Sequence, residues 1–372
     1  MMISVFRISY FVANTVDYNE VCLKFQKLLS RPSPYHIIHD GYAGGLGHKF
    51  LSIYYSITYA LLKKHTFYSM LYSLTPLPLV NLPDLFWNGT SSCFDRHRYN
   101  ETFFLASTTR AEYPGYEMIE RKTCEGLKAG EATVDSVIGD RSVVNYDCRL
   151  SKDIINTPEN VAILREEGIL DSYNEFRWYQ RVLYRILLNP SQDVIQAILD
   201  FRAKHFEGKT VFGIQIRMGG CWSNFNEKLS MMTVEELKKI PSIIRNAMSE
   251  YKYNPVNTVL YLSTDSTHVE SFMKHSLYDY SIITSTEFSR SHSRTLSDSE
   301  SLKGALMDIF LLADSDSLFV CKGSGFGRMS KYMTRAKHII QYKVTHRIDP
   351  RYSSEKRSCT SYDDFSALLN SE

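Results

Sequence analysis

The sequence predicts an α/β protein whose C-terminal half is a Rossmann-like domain. Beyond residue 208, short apolar runs alternate with segments of helical periodicity, which is the pattern of βαβ units around a parallel sheet. Near the N-terminus, a strand-like segment, 35–40, runs into a glycine-rich loop. That loop leads into a segment with apolar residues every three or four positions, which is one face of a helix.

The elements of the C-terminal half follow from this alternation. The predicted strands are 211–217, 258–264, 281–284, 317–321 and 338–342. The predicted helices are 233–252, with Pro241 as a candidate break, 268–276, 301–313 and 326–335. Short parallel strands with right-handed crossovers make an open, doubly wound sheet.

The N-terminal half has fewer clear elements. Helical periodicity predicts one helix over 159–188 and a second over 191–206, which Gly208 ends. We place the domain boundary at residue 207, so that the chain consists of domains 1–207 and 208–345. A C-terminal tail, 346–372, either packs back onto the second domain or stays flexible.

Composition excludes several classes of protein. The chain has 372 residues, of which 44% are hydrophobic and 23% charged, as in an ordinary globular protein. A net charge of +2 predicts no nucleic-acid partner. The seven cysteines show no metal-ligand spacing; their odd number permits up to three disulfides, with Cys93, Cys124 and Cys148 as candidates.

The sequence carries mild signs of the secretory pathway. Asn88 and Asn100 begin two glycosylation sequons in a loop-like stretch, as exposed acceptors would. No apolar run reaches 18 residues, so no convincing transmembrane helix is predicted. Residues 2–13 are apolar but interrupted by Arg7, and they fit either a weak signal sequence or the remnant of an anchor, with an incomplete N-terminus as a further alternative.

Three predicted strands of the C-terminal half end in polar residues. In an open α/β sheet, ligands bind at this carboxyl edge, where a guanidinium and helix N-terminal amides suit a phosphate and a carboxylate suits a guanine or ribose. The candidate nucleotide-binding residues are Gln215 and Arg217, Asp265 and Ser266, and Ser324, Gly325 and Phe326. Each has a structural alternative: Arg217 in an ordinary salt bridge, and Asp265 as the N-cap of the following helix.

Four segments together resemble the fucosyltransferase superfamily, which joins the α1,2-, α1,6- and protein O-fucosyltransferases. They are the GGLGH loop at 44–48, GIQIR at 213–217, YLSTD at 261–265 and the long segment 308–321. The region from Glu300 through Arg328 and Met333 is most similar to the α1,6 (core) enzymes, whereas GIQIR is more similar to the plant α1,2 enzymes. The resemblance covers residues 35–64 and 208–343.

The resemblance implies a GT-B fold, in which two Rossmann-like domains face each other across a cleft. It also implies GDP-fucose as the donor, a glycan or glycoprotein acceptor, inversion without a metal, and a Golgi or ER lumen location. The N-terminal domain is then the acceptor side, and Gly45, Leu46 and Gly47 belong to the donor site.

The same comparison gives roles to the strand-end residues. Arg217 is placed on the donor β-phosphate, Asp265 or Ser266 at the second motif, and Ser324 on the phosphates. The family's frequent HxRRxD becomes QIRMGG, so that its histidine, second arginine and aspartate are replaced by Gln215, Met218 and Gly220. This departure supports an alternative, an inactive relative that binds a glycan or a nucleotide. An NAD-dependent Rossmann enzyme is disfavoured because no GxGxxG follows a strand.

Two further motifs bear on the chemistry. His48 is the candidate base for the acceptor hydroxyl, with an ordinary contact to water or main chain as an equal alternative. Asp314 and Asp316 spell DxD, the metal-diphosphate motif of GT-A glycosyltransferases, but they precede a strand and so lie at the edge opposite the ligand. We therefore interpret them as a helix–strand turn and predict no metal or other cofactor.

Overall fold

The computed structural model describes residues 24, 27–28, 33, 35–40, 46–70, 117–118, 126, 129, 138–139, 141–144, 156–169, 181, 184, 190, 192–219, 229–288, 299–344 and 347–348. The chain divides into two compact units, Met1–Ser191 and Gln192–Glu372. Each unit contains a parallel sheet with helices, which confirms the predicted α/β class.

The first unit contains a four-stranded sheet in the order β2-β1-β4-β3, with all neighbours parallel. Its elements are β1 (His36–Asp40), α1 (Leu46–Leu62), β2 (Thr66–Met70), β3 (Glu117–Met118), β4 (Arg141–Val144) and α2 (Pro158–Glu166). The segments predicted as strand 35–40 and as the following helix are confirmed as β1 and α1. Every residue of α1 from Ile53 onward is buried.

The helix predicted over 159–188 ends much earlier than expected. Thr157 caps the N-terminus of α2 by accepting a hydrogen bond from the Asn160 amide at 3.3 Å. The helix stops at Glu166, and Gly168 adopts a φ of 63°, in the left-handed region that glycine tolerates best. Apolar periodicity does not register a single glycine, so the pattern did not predict this interruption. Of the rest of the predicted segment, only Arg181 and Tyr184 are described beyond Ile169, and both are helical.

The second unit contains a five-stranded parallel sheet in the order β10-β9-β5-β7-β8. Its elements are α3 (Gln192–His205), β5 (Thr210–Ile216), β6 (Leu229–Ser230), α4 (Val234–Lys238), α5 (Ile240–Glu250), β7 (Thr258–Thr264), α6 (Thr267–Ser276), β8 (Ser281–Ile283), α7 (Ser299–Ala313), β9 (Ser317–Lys322), α8 (Gly325–Met333), β10 (His338–Lys343) and β11 (Arg347–Ile348). The five predicted strands are confirmed within two residues at each end. The predicted break at Pro241 is also confirmed, because α4 and α5 are separate helices.

The strand order places a topological switch point beside β5. From β5 the chain first builds β7 and β8 on one side, and then crosses to build β9 and β10 on the other. Crevices outside the carboxyl ends of strands form where this reversal occurs, here between β5 and β9. Because all five strands are parallel, the residues that follow them share one edge of the sheet.

The two faces of this sheet pack differently. One face carries Phe212, Ile214 and Ile216 of β5 with Leu260 and Leu262 of β7, all fully buried in an apolar cluster with the helices α4, α5 and α6. Burial of each such side chain contributes about 1.5–3 kcal/mol. The opposite face is more polar and packs against α7, which contacts β5 and β7.

The helix α3 belongs to the second unit, whereas a boundary at residue 207 assigns it to the N-terminal domain. Its Phe201 and Phe206 rings contact the Tyr261 ring of β7, with centroids 5.6 and 5.8 Å apart. Asp193 pairs with Lys303 of α7 at 2.7 Å. These contacts tie α3 to the sheet that follows it. Within the predicted tail, β11 pairs antiparallel with β6.

Candidate functional site

The candidate nucleotide-binding residues predicted from the sequence lie at the carboxyl edge of the second sheet. Arg217 follows the last residue of β5 directly and is partly buried. In the register of the sheet, Ile216 lies opposite Thr264 of β7, and Gln215 lies opposite Val320 of β9. Arg217 therefore lies between the loop that begins at Asp265 and the loop that contains Ser324, at the switch point.

Asp265 joins two of the predicted motifs. Its Oδ1 accepts a hydrogen bond from the Met218 amide at 2.9 Å, and its Oδ2 accepts one from the Gly219 amide at 3.0 Å. Gly219 has a φ of 59°, so the chain turns sharply directly after Met218. The carboxylate thus fixes the backbone that follows Arg217.

Ser266, not Asp265, is the N-cap of α6. Its hydroxyl accepts from the Val269 amide at 3.5 Å, and the residue is 2% exposed. The alternative interpretation, in which Asp265 caps this helix, is wrong. The Asp265 carboxylate binds the loop after β5, and the next residue caps the helix. Helix capping accounts for the Ser266 hydroxyl without a ligand.

Gln215 is buried inside the protein at this edge. Its Oε1 accepts a hydrogen bond from the Cys321 amide at 3.3 Å, and the residue is 3% exposed. A Cβ atom on Gly327 would lie 2.4 Å from the same oxygen, so α8 packs directly on the carboxamide. The Gln215 side chain therefore connects β5 with β9 through a hydrogen bond and with α8 through close packing.

The third predicted motif forms the N-terminus of α8. Ser324 caps the helix by accepting from the Gly327 amide at 3.2 Å and is 1% exposed. Gly323 before it has a φ of 111°, which only glycine adopts easily. The first-turn amides of a helix have no intrahelical acceptor, so those of Gly325 and Phe326 are oriented out of the helix end at the switch point.

A buried carboxylate that the sequence analysis did not assign lies behind this edge. Asp308 of α7 accepts hydrogen bonds from the hydroxyls of Tyr261 at 2.5 Å, Ser263 at 2.7 Å and Ser285. These residues come from β7 and from the segment after β8, so one carboxylate positions two neighbouring segments. An inward-facing Ser263 in a buried strand was the available signal, because a buried hydroxyl requires a partner.

Cys321 is the one cysteine within the described residues, and its thiol is free and buried at the end of β9. Burial raises the pKa of this thiol to about 12, and a main-chain hydrogen bond involving Arg217 lowers it by less. The thiol is therefore not a nucleophile at neutral pH.

The N-terminal loop is described only in part. Leu46, Gly47 and His48 form the first turn of α1, and the preceding strand β1 ends at Asp40. The side chains of these residues, and the whole of Gly45, lie outside the described part of the structure. The sequons at Asn88 and Asn100 and the cysteines suggested for disulfides lie outside it as well.

The DxD residues form a helix–strand turn between α7 and β9, as predicted. Asp314 forms an ion pair with Arg202 of α3. Asp316 accepts from the Val211 amide at 2.8 Å, at the amino end of β5. Among the described residues, no three His, Cys, Asp or Glu side chains come together in a group that could hold a metal ion. None of the helices described is long and apolar enough to cross a membrane.

Comparison with known proteins supports the fold but adds no family assignment by sequence. No protein-family model matches the chain, and no curated protein sequence matches it. Among solved structures, a mutant of FUT1 from Arabidopsis thaliana in complex with GDP matches with a TM-score of 0.55. The match has 14% identity and covers 89% of this chain and 76% of that one.

In a second group of structures, the match covers nearly the whole length of the known protein. The NodZ α1,6-fucosyltransferase soaked with GDP-fucose matches with a TM-score of 0.52 at 15% identity, covering 85% of this chain and 99% of that one. NodZ from Bradyrhizobium in its selenomethionine form matches with a TM-score of 0.50 at 14% identity, covering 86% of this chain and 100% of that one. The chain therefore has the α/β fold of these proteins. The arrangement of two domains across a cleft stays a prediction.

Proposed function

We propose that this protein is a metal-independent, inverting glycosyltransferase that moves fucose from GDP-fucose to a hydroxyl of a glycan or glycoprotein. The observation that carries the proposal is the position of Arg217 at the switch point, between the loop that Asp265 fixes and the N-terminus of α8. The similarity of fold to NodZ, a fucosyltransferase soaked with GDP-fucose, supports the same donor.

The chemistry of the edge suits a diphosphate leaving group. Cleavage of the sugar–phosphate bond develops negative charge on the diphosphate, and a preorganised guanidinium with helix N-terminal amides stabilises that charge. In this proposal Arg217 holds the β-phosphate, and the α8 N-terminus at Gly325 and Phe326 supplies amide dipoles. Ser324 and Ser266 are engaged as helix caps, so they support the site through their helices. Gln215 and Asp265 position the backbone around Arg217.

We assign the deprotonation of the acceptor hydroxyl to a residue of the first unit. We propose His48 as the base that accepts the proton of the acceptor hydroxyl, because it lies in the first turn of a helix that follows a glycine-rich stretch of sequence. A location in the Golgi or ER lumen belongs to the same proposal and rests on the two sequons. Peptide mapping after glycosidase treatment of the protein secreted from eukaryotic cells tests it, since unmodified Asn88 and Asn100 would contradict a luminal location.

The experiment that tests the donor is calorimetric titration with GDP. We expect the wild type to bind GDP and Arg217→Ala to bind it about ten- to a hundredfold more weakly, because a charge-assisted hydrogen-bond donor is lost. Arg335→Ala is the matched control, since this exposed arginine precedes β10 at the opposite edge of the sheet. No binding by the wild type, or equal binding by Arg217→Ala, would contradict the proposal.

Turnover distinguishes the enzyme from the alternative. Transfer of fucose to a panel of glycans, unaffected by EDTA, supports a metal-independent transferase. A requirement for added manganese would overturn the metal-independent mechanism. The replacement of the family's second arginine and aspartate by Met218 and Gly220 favours the second candidate, an inactive nucleotide- or glycan-binding relative. GDP binding without turnover on any glycan would favour that candidate.

A further inference from the structure

One flank of the second unit carries no carboxylate side chains. Residues 317–344, which form β9, α8 and β10, contain six lysines or arginines and no aspartate or glutamate. The remainder of the chain has more acidic than basic residues, so the positive net charge of the protein comes from this segment. Such a charge asymmetry favours an anionic partner for the flank.

Two lysines of this flank lie side by side. Lys322 ends β9 and Lys343 ends β10, and the register of the two parallel strands pairs these residues directly. Both are exposed, and among the described residues neither forms an ion pair. Like charges directly opposite each other on neighbouring strands destabilise a sheet. The stability of the fold therefore does not explain this pair.

The side chains of Lys322 and Lys343 lie on the face of the sheet that α8 covers. Successive side chains of a strand point to opposite faces, so Lys322 shares a face with Val320. A Cβ atom on Gly327 would lie 3.3 Å from the Val320 Cβ atom, which places α8 on this face. Because Lys343 is paired in register with Lys322, its side chain is on the same face.

Lys331 of α8 brings a third ammonium group to this face. It donates a hydrogen bond to the Oε1 atom of Gln341 at 2.9 Å, and Gln341 precedes Lys343 by two residues on β10. Residues two apart on a strand share a face, so this bond holds Lys331 on the side where the lysine pair lies. Lys322, Lys331 and Lys343 form what we call the lysine cluster.

The lysine cluster adjoins the proposed donor site. Gln215 of β5 lies opposite Val320 of β9, and Arg217 and Lys322 each follow two residues further along. These two cations therefore reach the carboxyl edge of the sheet at the same level. The thiol of Cys321, one residue before Lys322, takes part in a hydrogen bond with the main chain of Arg217.

Two carboxylates described near this edge are engaged elsewhere. Glu236 contributes, after burial, to the raised pKa of Tyr342, whose side chain is on the face opposite the lysine cluster. Glu236 also accepts hydrogen bonds from Thr233. Asp265 accepts two main-chain amides of the β5 loop. Neither carboxylate pairs with the two lysines at the strand ends.

We propose that the lysine cluster binds an acidic glycan, and that the acceptor of the proposed transfer carries sulfate or carboxylate groups. Neighbouring strands lie about 4.8 Å apart, so the row from Arg217 through Lys322 to Lys343 spans about 10 Å at the backbone. This length exceeds that of one diphosphate and suits a chain of sugars with repeated charges. Lysine ammonium groups on flexible stems also suit charges at variable positions.

The identity of the glycan as the acceptor rests on the proposed function, whereas the binding itself does not. A ligand on the lysine cluster lies beside the residue proposed to hold the donor β-phosphate, which is where an acceptor is needed. Nucleic acids and anionic lipids offer the same charge, so the test includes both.

The test compares the wild type with the double variant Lys322→Gln/Lys343→Gln, which removes both charges and keeps the side chains polar. Lys204→Gln/Lys209→Gln is the matched control, because these exposed lysines precede β5 at the opposite edge of the sheet. Calorimetry uses a chondroitin sulfate hexasaccharide as the probe. We expect the first variant to bind it about three- to thirtyfold more weakly, and the control to bind it as the wild type does. Binding should weaken as salt is added.

The outcomes separate this inference from the proposed function. No binding of chondroitin sulfate by the wild type, or equal affinity in Lys322→Gln/Lys343→Gln, would overturn the role of the lysine cluster. Tighter binding of a single-stranded oligonucleotide or of phosphatidylserine vesicles at the same salt concentration would assign the cluster to another partner and also overturn it. GDP binding by the same preparations tests the proposed function independently, because the nucleotide does not require the cluster.

Turnover tests the acceptor class. With a sulfated acceptor, we expect Lys322→Gln/Lys343→Gln to raise KM about three- to thirtyfold and to leave kcat unchanged. With an uncharged N-acetylglucosamine hexasaccharide, KM should not change. A wild type that transfers fucose to uncharged acceptors in preference to acidic ones would overturn the acceptor class. Binding of chondroitin sulfate without GDP binding would leave the cluster standing and contradict the proposed function.

Thermal unfolding supplies a measurement that a purely structural lysine pair would move in the opposite direction. Because the variant removes repulsion between two paired lysines, Lys322→Gln/Lys343→Gln is expected to unfold at the same temperature as the wild type or higher. If this variant does not fold, the single variants Lys322→Gln and Lys343→Gln replace it. Full affinity for chondroitin sulfate in both single variants would then overturn the inference.

Discussion

The Oε1 atom of Gln215 occupies the space that a Cβ atom on Gly327 would need, at a distance of 2.4 Å. One residue comes from the central strand of the sheet and the other from the helix that follows β9. Their close approach brings the N-terminus of α8 next to the end of β5, and so next to Arg217. The glycine at 327 is required by this contact and not by its backbone conformation.

We expect Gly327→Ala to lower the free energy of unfolding by about 1–3 kcal/mol, as overpacking of a core does. The helix gains from alanine, but Gln215 cannot move away without losing its bond to the Cys321 amide. Urea denaturation measures the change. In a Gln215→Ala background the shortest contact of the added methyl group is removed, and Val320 Cβ at 3.3 Å is the close contact that stays, so a cost of the same size there would contradict the assignment.

Asp265→Asn tests the fixation of the loop after Arg217. Both oxygens accept main-chain N–H groups, which cannot reverse their direction, so the asparagine NH2 would face a donor. We expect a loss of stability of about 1–3 kcal/mol and weaker binding of GDP, because Arg217 adjoins the loop that is released. Denaturation and calorimetry measure the two effects. Stability and GDP binding equal to those of the wild type would show that the loop does not depend on this carboxylate.

The Asp308 cluster should respond differently to the same substitution. Its three partners are hydroxyls, which rotate and accept as well as donate, so an asparagine at 308 finds a new set of hydrogen bonds. Asp308→Ala removes the acceptor that the three hydroxyls share and is expected to cost about 2–4 kcal/mol. We expect Asp308→Asn to cost clearly less in urea denaturation. An equal loss in both variants would mean that the charge itself is essential.

The ion pair between Arg245 and Asp279 should give a pH-dependent contribution to stability. The hydrogen bond from Arg245, at 2.6 Å, lowers the pKa of Asp279 below its usual value of 3.8. A carboxyl group whose pKa is lower in the folded state stabilises the protein above the unfolded pKa, and this contribution disappears as the pH falls through the folded pKa.

Both side chains are more than a third exposed, so solvent screening keeps the contribution small. We expect Asp279→Asn to lower the free energy of unfolding by about 0.5 kcal/mol at pH 7. The difference from wild type should shrink as the pH falls below 3.8. A difference that stays constant down to low pH would assign the effect to packing and not to charge.

The sequence by itself determined the elements of the second unit and the edge at which its ligand is expected. Apolar runs and helical periodicity record which residues face the core, so they predicted the five strands and the break at Pro241. Polar residues after three strands were enough to predict that Arg217, Asp265 and Ser324 share one edge, because parallel strands all end on the same side.

Only the tertiary structure decided what each of these residues does at that edge. Hydrogen bonds between distant segments, such as those from Met218 and Gly219 to Asp265, depend on register and on side-chain direction, which a linear pattern does not contain. The same holds for the three hydroxyls around Asp308 and for the α3 helix, which joins the second unit through Tyr261.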